Sequence, residues 1–190
     1  MELQPPSRVE TAVLLGALLV FAVDAVSLLS AGPATLTGLP LDDAWIHLSY
    51  ARSIAETGVF GYNPGEWQNG STAPLWSLLL ALPLKAGLEP AVAARTLGLL
   101  AGGGMLGLAW AVGRTLGGRG LAALVVVGLA IEPWTAVLAV SGMETQAAMA
   151  AALGCILATL HRRWWTGGLC LAAAGLLRPE LALLVPAALI

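Results

Sequence analysis

Leu41-Asp42-Asp43-Ala44-Trp45-Ile46-His47 opens the first long polar stretch of a chain that is otherwise strongly apolar. An apolar run from Thr11 to Ser30 precedes it and further long apolar segments follow. The two carboxylates therefore belong at or near one membrane face, where ionisable groups are costly and functional by default.

Composition agrees with that placement. Hydrophobic residues make up 58% of the 190 and charged residues 11%, whereas soluble domains carry about 25% charged residues. Mean hydropathy is +0.83. The chain reads as an all-α, polytopic integral membrane protein. A net charge of -2 with scattered Lys and Arg leaves no basic stripe, so nucleic acid is not an expected partner. Cys155 and Cys170 both lie inside apolar runs and read as small core residues rather than as a disulfide framework or metal cluster.

The run Thr11–Ser30 is taken as the first crossing. Arg8 ahead of it and the small residues 30–32 would also suit a cleavable signal, but a run of this length favours an anchor. An outer loop spans 31–90, broken by Gly58, Gly61, Pro64, Gly65 and Gly70, and holds two juxtamembrane helices, 42–57 and 74–87. The second is short for a crossing and contains Pro83. Further crossings are expected over 91–113, 121–140, 146–160 and 167–190, the last broken at Arg178-Pro179, giving about five. The apolar run reaching Ile190 carries no cap or polar tail, so the chain reads as truncated.

Charge sets the orientation. If 74–87 does not cross, Arg114, Arg119, His161, Arg162 and Arg163 all fall on the side of Arg8, the cytoplasmic side by the positive-inside rule. Asp42, Asp43 and the turn Ser141-Gly142-Met143-Glu144 then share the outer face.

On a helical wheel of 42–57, Asp43, His47, Tyr50 and Ile54 form one stripe and Ala44, Leu48, Ala51 and Ala55 an apolar one. Asp42 follows Leu39-Pro40-Leu41 and suits a helix N-cap, which accounts for one aspartate and leaves Asp43 over. His47 is read first as a polar group facing headgroups or water, and second as a ligand or catalyst. The Gly-xxx-Gly spacings at 98/102, 103/107 and 113/117 are read as helix packing, not as a phosphate loop. The tryptophans fit an interfacial belt, with Trp67 and Trp76 kept as substrate contacts. Arg178 and Glu180 at a broken helix are read either as a structural ion pair or as part of a lipid-phosphate pocket.

Taken in order, Asp42-Asp43-Ala44-Trp45-Ile46, Tyr50-Ala51-Arg52, Tyr62-Asn63-Pro64-Gly65-Glu66, Asn69-Gly70-Ser71-Thr72-Ala73-Pro74-Leu75-Trp76, Ser141-Gly142-Met143-Glu144-Thr145 and Leu177-Arg178-Pro179-Glu180 resemble the N-terminal module of GT-C glycosyltransferases. These are integral membrane enzymes that use polyprenyl-phosphate sugars, and the resemblance extends to the protein O-mannosyltransferase, aminoarabinose transferase and arabinofuranosyltransferase groups. It covers most of the chain. Relatives with this loop pattern often have a basic residue where Ser49 stands here, a departure that bears on phosphate binding.

The resemblance implies transfer of a sugar from a polyprenyl-phosphate donor to a glycan, lipid or protein acceptor on the outer face of a bacterial-type inner membrane. It implies Asp42 and Asp43 as catalytic residues, the first of the pair being the usual base. His47, Tyr50, Arg52, Asn69, Trp76, Glu144, Arg178 and Glu180 are then expected to bind substrate. The chemistry fits these types, since an attacking hydroxyl must lose a proton and a carboxylate can take it. Asp42, Asp43 and Glu144 are also the candidate ligands of a divalent cation, Mg or Mn, held against the phosphate. Two other readings stay open: a transporter or flippase of lipid-linked sugars, and a non-catalytic homologue that self-associates through its Gly and Ala faces. As a truncated module the chain is expected to be inactive alone.

Overall fold

A computed structural model describes residues 7–30 and 38–184. Every regular element among them is helical: α1 (Arg8–Ser30), α2 (Asp43–Thr57), α3 (Pro74–Lys85), α4 (Pro90–Ile131), α5 (Pro133–Val140), α6 (Thr145–Leu160) and α7 (Trp164–Leu177), closed by a 3-10 turn over Pro179–Leu184. The remainder of the run expected over 167–190 lies outside the described residues.

Local sequence sets most of these boundaries. Ser7 and Glu10 form a capping box, in which the Ser7 amide donates to Glu10 Oε2 at 2.8 Å and the Glu10 amide to Ser7 Oγ at 3.3 Å. The first helix therefore begins at Arg8, earlier than the apolar run. At the head of α4, Glu89 accepts from the amides of Ala91 and Val92, with Pro90 in the first turn where its missing N–H costs nothing. The segment expected as one span over 121–140 is interrupted. Glu132, just before Pro133, is held extended (ψ 115°) and caps α5 by accepting from the Trp134 amide.

The 42 residues of α4 are two limbs. Gly117 (φ -145°, ψ 18°) and Gly118 (φ 70°, ψ -157°) leave helical geometry, the latter in a region that favours glycine. Beyond them the chain doubles back. A Cβ on Gly113 would lie 2.8 Å from the Ala122 Cα, and Met105 and Leu129 line one groove, although a straight helix would separate them by about 36 Å. The antiparallel register continues past the break at 132, since a Cβ on Gly98 would meet the Ala139 carbonyl. The helices α6 and α7 form a second such pair, with Gly154 against Cys170 and Gly167 against Ala158.

α1 lies antiparallel to the first limb of α4. Phe21 packs on Gly102, and Glu10 meets Arg114 at 3.1 Å and Arg119 at 3.3 Å. Ala17, Phe21, Ala25, Met105, Leu106, Trp110, Val126 and Ala139 form the bundle core. α2 and α3 pack across the opposite end, where Leu48, Trp76 and Leu80 join Ala91, Ala94, Ala148 and Leu177 in a second core.

Two helices, Arg8–Ser30 and Pro90–Ile131, are long and apolar enough to cross a membrane. A third appears if α5 and α6, bent by 113° to one another, are taken as one broken span. That count takes α4 as one helix, although its two limbs run antiparallel. α6 and α7, with 16 and 14 residues, extend only about 24 and 21 Å against a hydrocarbon core of about 30 Å. The outward faces of the bundle nevertheless carry Leu15, Leu19, Val23, Leu100, Leu124, Ile131 and Leu169 exposed, which is a surface suited to lipid.

Candidate functional site

The charged residues divide between the two ends of the bundle. At one end Arg114 and Arg119 grip the buried Glu10 carboxylate from either side of the Gly117-Gly118 reversal, and Thr115 Oγ1 lies 3.5 Å from His161 Nε2. That gathers Arg114, Arg119 and His161 beside the start of α1, the grouping the charge pattern required.

At the other end a cleft of about 440 Å³ is lined by Asp43, Ile46, His47, Gly70, Thr72, Met143, Glu144, Leu177, Arg178, Pro179 and Glu180. Four segments far apart in sequence meet there. α2 supplies Asp43 and His47 four residues apart on one face, the loop before α3 supplies Gly70 and Thr72, the α5–α6 turn supplies Glu144, and the α7 terminus supplies Arg178 and Glu180.

Glu144 is the centre of the charged wall. Its Oε2 lies 3.1 Å from His47 Nε2 and its Oε1 3.0 Å from Arg178 Nε. Glu144 Oε2 and Arg178 Nε find no well-aligned hydrogen bond in these contacts. Burial works against ionisation of the Glu144 carboxyl. The His47 contact, its own backbone amide and the Arg178 charge outweigh that burial and hold the carboxyl below the usual range. Arg178 also reaches Glu180 Oε1 from Nη1 at 3.0 Å and Thr145 Oγ1 from Nη2 at 3.3 Å. The extended backbone at Arg178 (φ -147°, ψ 112°), as expected before Pro179, turns this side chain out of the α7 axis and into the cleft wall.

No protein-family model, curated protein or solved structure matches the chain. Its chemistry is therefore read from this geometry.

The aspartates separate. Asp43 is exposed, lines the cleft and makes no side-chain hydrogen bond or ion pair among the described residues. Asp42 is the α2 N-cap by position, but its side chain makes no capping bond and it does not line the cleft. Nor do the acids assemble as a cation site: among the described residues no three His, Cys, Asp or Glu side chains are grouped to hold a metal. Asp42 stands outside the cleft and both Glu144 oxygens already face cationic or imidazole nitrogens. The donor set expected of Asp42, Asp43 and Glu144 does not fit an ion in this arrangement.

Several expected substrate contacts sit elsewhere. Tyr50 is 2% exposed and packs tilted against Phe60 at 5.0 Å and edge-on to Tyr62 at 6.1 Å, so its ring supports the loop from beneath. Arg52 is exposed and pairs along its own helix with Glu56 at 2.8 Å. Asn69 is exposed next to the cleft-lining Gly70 without itself lining the cleft. Trp76 is 1% exposed, and its indole Nε1 donates to the Gly142 carbonyl at 2.9 Å. It is an anchor for the turn that carries Glu144. Thr72, Ile46 and Met143 line the cleft without having been singled out in the sequence. The spacing of Asp43, Ile46 and His47 on one helix face was the available signal for Ile46.

Proposed function

We propose that the chain is part of a membrane glycosyltransferase of GT-C type that moves a sugar from a polyprenyl-phosphate donor to an acceptor hydroxyl on the outer face of a bacterial-type inner membrane. The observation that carries this reading is the cleft at the acidic end of the bundle, whose lining includes both Asp43 and Arg178. In this reading Asp43 takes the proton of the attacking hydroxyl as its oxygen bonds to the anomeric carbon, and the lipid phosphate leaves with the electrons of the broken bond. One displacement of this kind inverts the anomeric centre. Arg178, shared between Glu144 and Glu180 and exposed by about a third of its side-chain surface, is the group placed to meet the phosphate.

A transporter would carry its acids near the middle of the bilayer. The acids of this cleft lie at one end of the bundle, with α2 and α3 packed beside them, which favours the transferase.

The test is sugar transfer from a polyprenyl-phosphate donor in membranes carrying the full-length enzyme of which the chain is proposed to be part. Asp43→Asn should lower turnover by about a hundredfold, the scale of a lost general base, and Asp42→Asn should keep most of it. Equal turnover in the two variants would remove Asp43 from the chemistry.

A further inference from the structure

The end of the bundle away from the cleft carries more positive charge than the fold uses. Arg114 and Arg119 are answered there by Glu10. Arg162 and Arg163, in the turn between α6 and α7, are exposed and make no side-chain hydrogen bond or ion pair among the described residues. His161 precedes them and lies 3.5 Å from Thr115, beside the reversal of α4. Trp164 and Trp165 follow directly and are exposed as well, and indoles next to guanidinium groups suit the headgroup layer of a bilayer.

An open groove of about 340 Å³ between the two limbs of α4 and α6 leads to this turn, and every residue lining it is apolar. Its floor is buried and small at Ala109 and Gly113, whereas Leu116, Leu121, Met149 and Ile156 form walls that stay partly exposed. Ile156 stands about one and a half helical turns before His161. Along the first limb of α4 the groove extends from Met105 to Leu116, about 16 Å of helix. That is about half of a hydrocarbon core of about 30 Å, the depth of one leaflet. A slot one leaflet deep with unanswered cations at its mouth is complementary to a lipid with an anionic head.

We infer that this groove seats one acyl chain of an anionic phospholipid, whose phosphate is held at the mouth by Arg162, Arg163 and His161. A zwitterionic lipid gains the same apolar seat and leaves the arginine charge unbalanced, so the site selects by the charge of the head. The site is at the opposite end of the bundle from the acidic cleft and needs only that the helices lie in a bilayer. The transferase reading can fail without touching it.

The test is photo-labelling of the full-length protein in phosphatidylcholine nanodiscs. Trace phosphatidylglycerol or trace phosphatidylcholine carries a diazirine midway along one acyl chain, and the adducts are mapped by peptide mass spectrometry. Leu19 and Val23, exposed on α1, report ordinary lipid contact. The phosphatidylglycerol probe should label the stretch from Met149 to Ile156 about tenfold more than the phosphatidylcholine probe, and unlabelled phosphatidylglycerol should compete it away. Both probes should label α1 alike. Joint Arg162→Gln and Arg163→Gln replacement should remove most of that preference, the scale of two basic groups at a lipid surface. Joint Arg162→Lys and Arg163→Lys replacement keeps the charge and should keep the preference.

Equal labelling of the groove by the two probes would make it an ordinary lipid-facing surface. A preference that survives the glutamine pair, or is lost equally with the lysine pair, would remove the arginine charge from the site. Absence of groove labelling by either lipid would mean that another protein segment or a second copy fills it. Displacement of the phosphatidylglycerol probe by decaprenyl phosphate, but not by phosphatidylglycerol, would assign the groove to a polyprenyl tail. Each of these results overturns the inference.

Discussion

The indole of Trp76 donates to the carbonyl of Gly142 at 2.9 Å, and this bond ties α3 to the turn on which Glu144 is carried. Both groups are buried. Gly142 has φ 84°, and a Cβ there would lie 2.7 Å from Leu39 and 3.1 Å from Ala44, so the turn is also locked against the head of α2. Trp76→Phe keeps most of the apolar volume and leaves the carbonyl unpaired, at a cost of about 1–3 kcal/mol. Thermal unfolding in detergent should fall accordingly. Ligand binding in the cleft should weaken with it, although Trp76 lines none of it; unchanged stability would mean that the turn does not depend on the bond.

Glycine spacing in α4 yields a paired experiment. Gly98→Ala would drive a methyl group into the Ala139 carbonyl oxygen, whereas Gly107 has nothing within 4 Å. Gly98→Ala should therefore destabilise by about 1–3 kcal/mol, the range for overpacking. Gly107→Ala should be neutral or stabilise by up to about 1 kcal/mol through helix propensity. Equal effects in chemical or thermal unfolding would contradict the antiparallel packing of α4 on α5.

Acid should act through Glu144. Its carboxyl is held below the usual range in the fold, so the unfolded chain binds the proton more readily and ionised Glu144 stabilises the fold at neutral pH. That contribution is complete above the ordinary glutamate value of about 4.3 and is lost as pH falls through the lower folded value. The stability difference between wild type and Glu144→Gln should be widest above about pH 5 and should shrink below pH 4. A difference that grows with acid would reverse the sign of the His47 and Arg178 interactions.

Topology can be read by cysteine labelling at exposed positions. Cysteines at Arg119 and Arg163 should react from the cytoplasmic side, and those at Glu66 and Asn69 from the other. Reaction of 119 and 69 from the same side would break the assignment of the two bundle ends to the two membrane faces.

What the sequence made legible follows the range of the forces involved. The α2 helix is nearly as its lack of Gly and Pro suggests, ending at Thr57 with Gly58 in a left-handed cap. The close-packing reading of Gly98, Gly102 and Gly113 corresponds to real contacts, whereas Gly107 meets nothing within 4 Å. The wheel stripe of Asp43, His47 and Tyr50 divides, because Phe60 and Tyr62 fold back over Tyr50 while Asp43 and His47 remain on the cleft. A wheel cannot show that. Trp76 illustrates the same limit: an indole near a segment end suits lipid or ligand, and only the arrival of Gly142, 66 positions away, decides that it faces inward. The Ser7–Glu10 box was open to reading by its spacing alone, but the approach of Arg114 and Arg119 to Glu10 depends on the reversal at Gly117-Gly118.

That approach bears on how the protein is made. Glu10 leaves the ribosome before the two arginines that hold it, which follow only after α2, α3 and most of the first limb of α4 have been translated. Until then the carboxylate is without the cations that neutralise it in the fold, and an unpaired charge is costly away from water. Closure of the reversal at Gly117-Gly118 ends that interval. A chain that reversed elsewhere would keep the Arg114 contact and lose that of Arg119, leaving the buried Glu10 carboxylate with one cation in place of two.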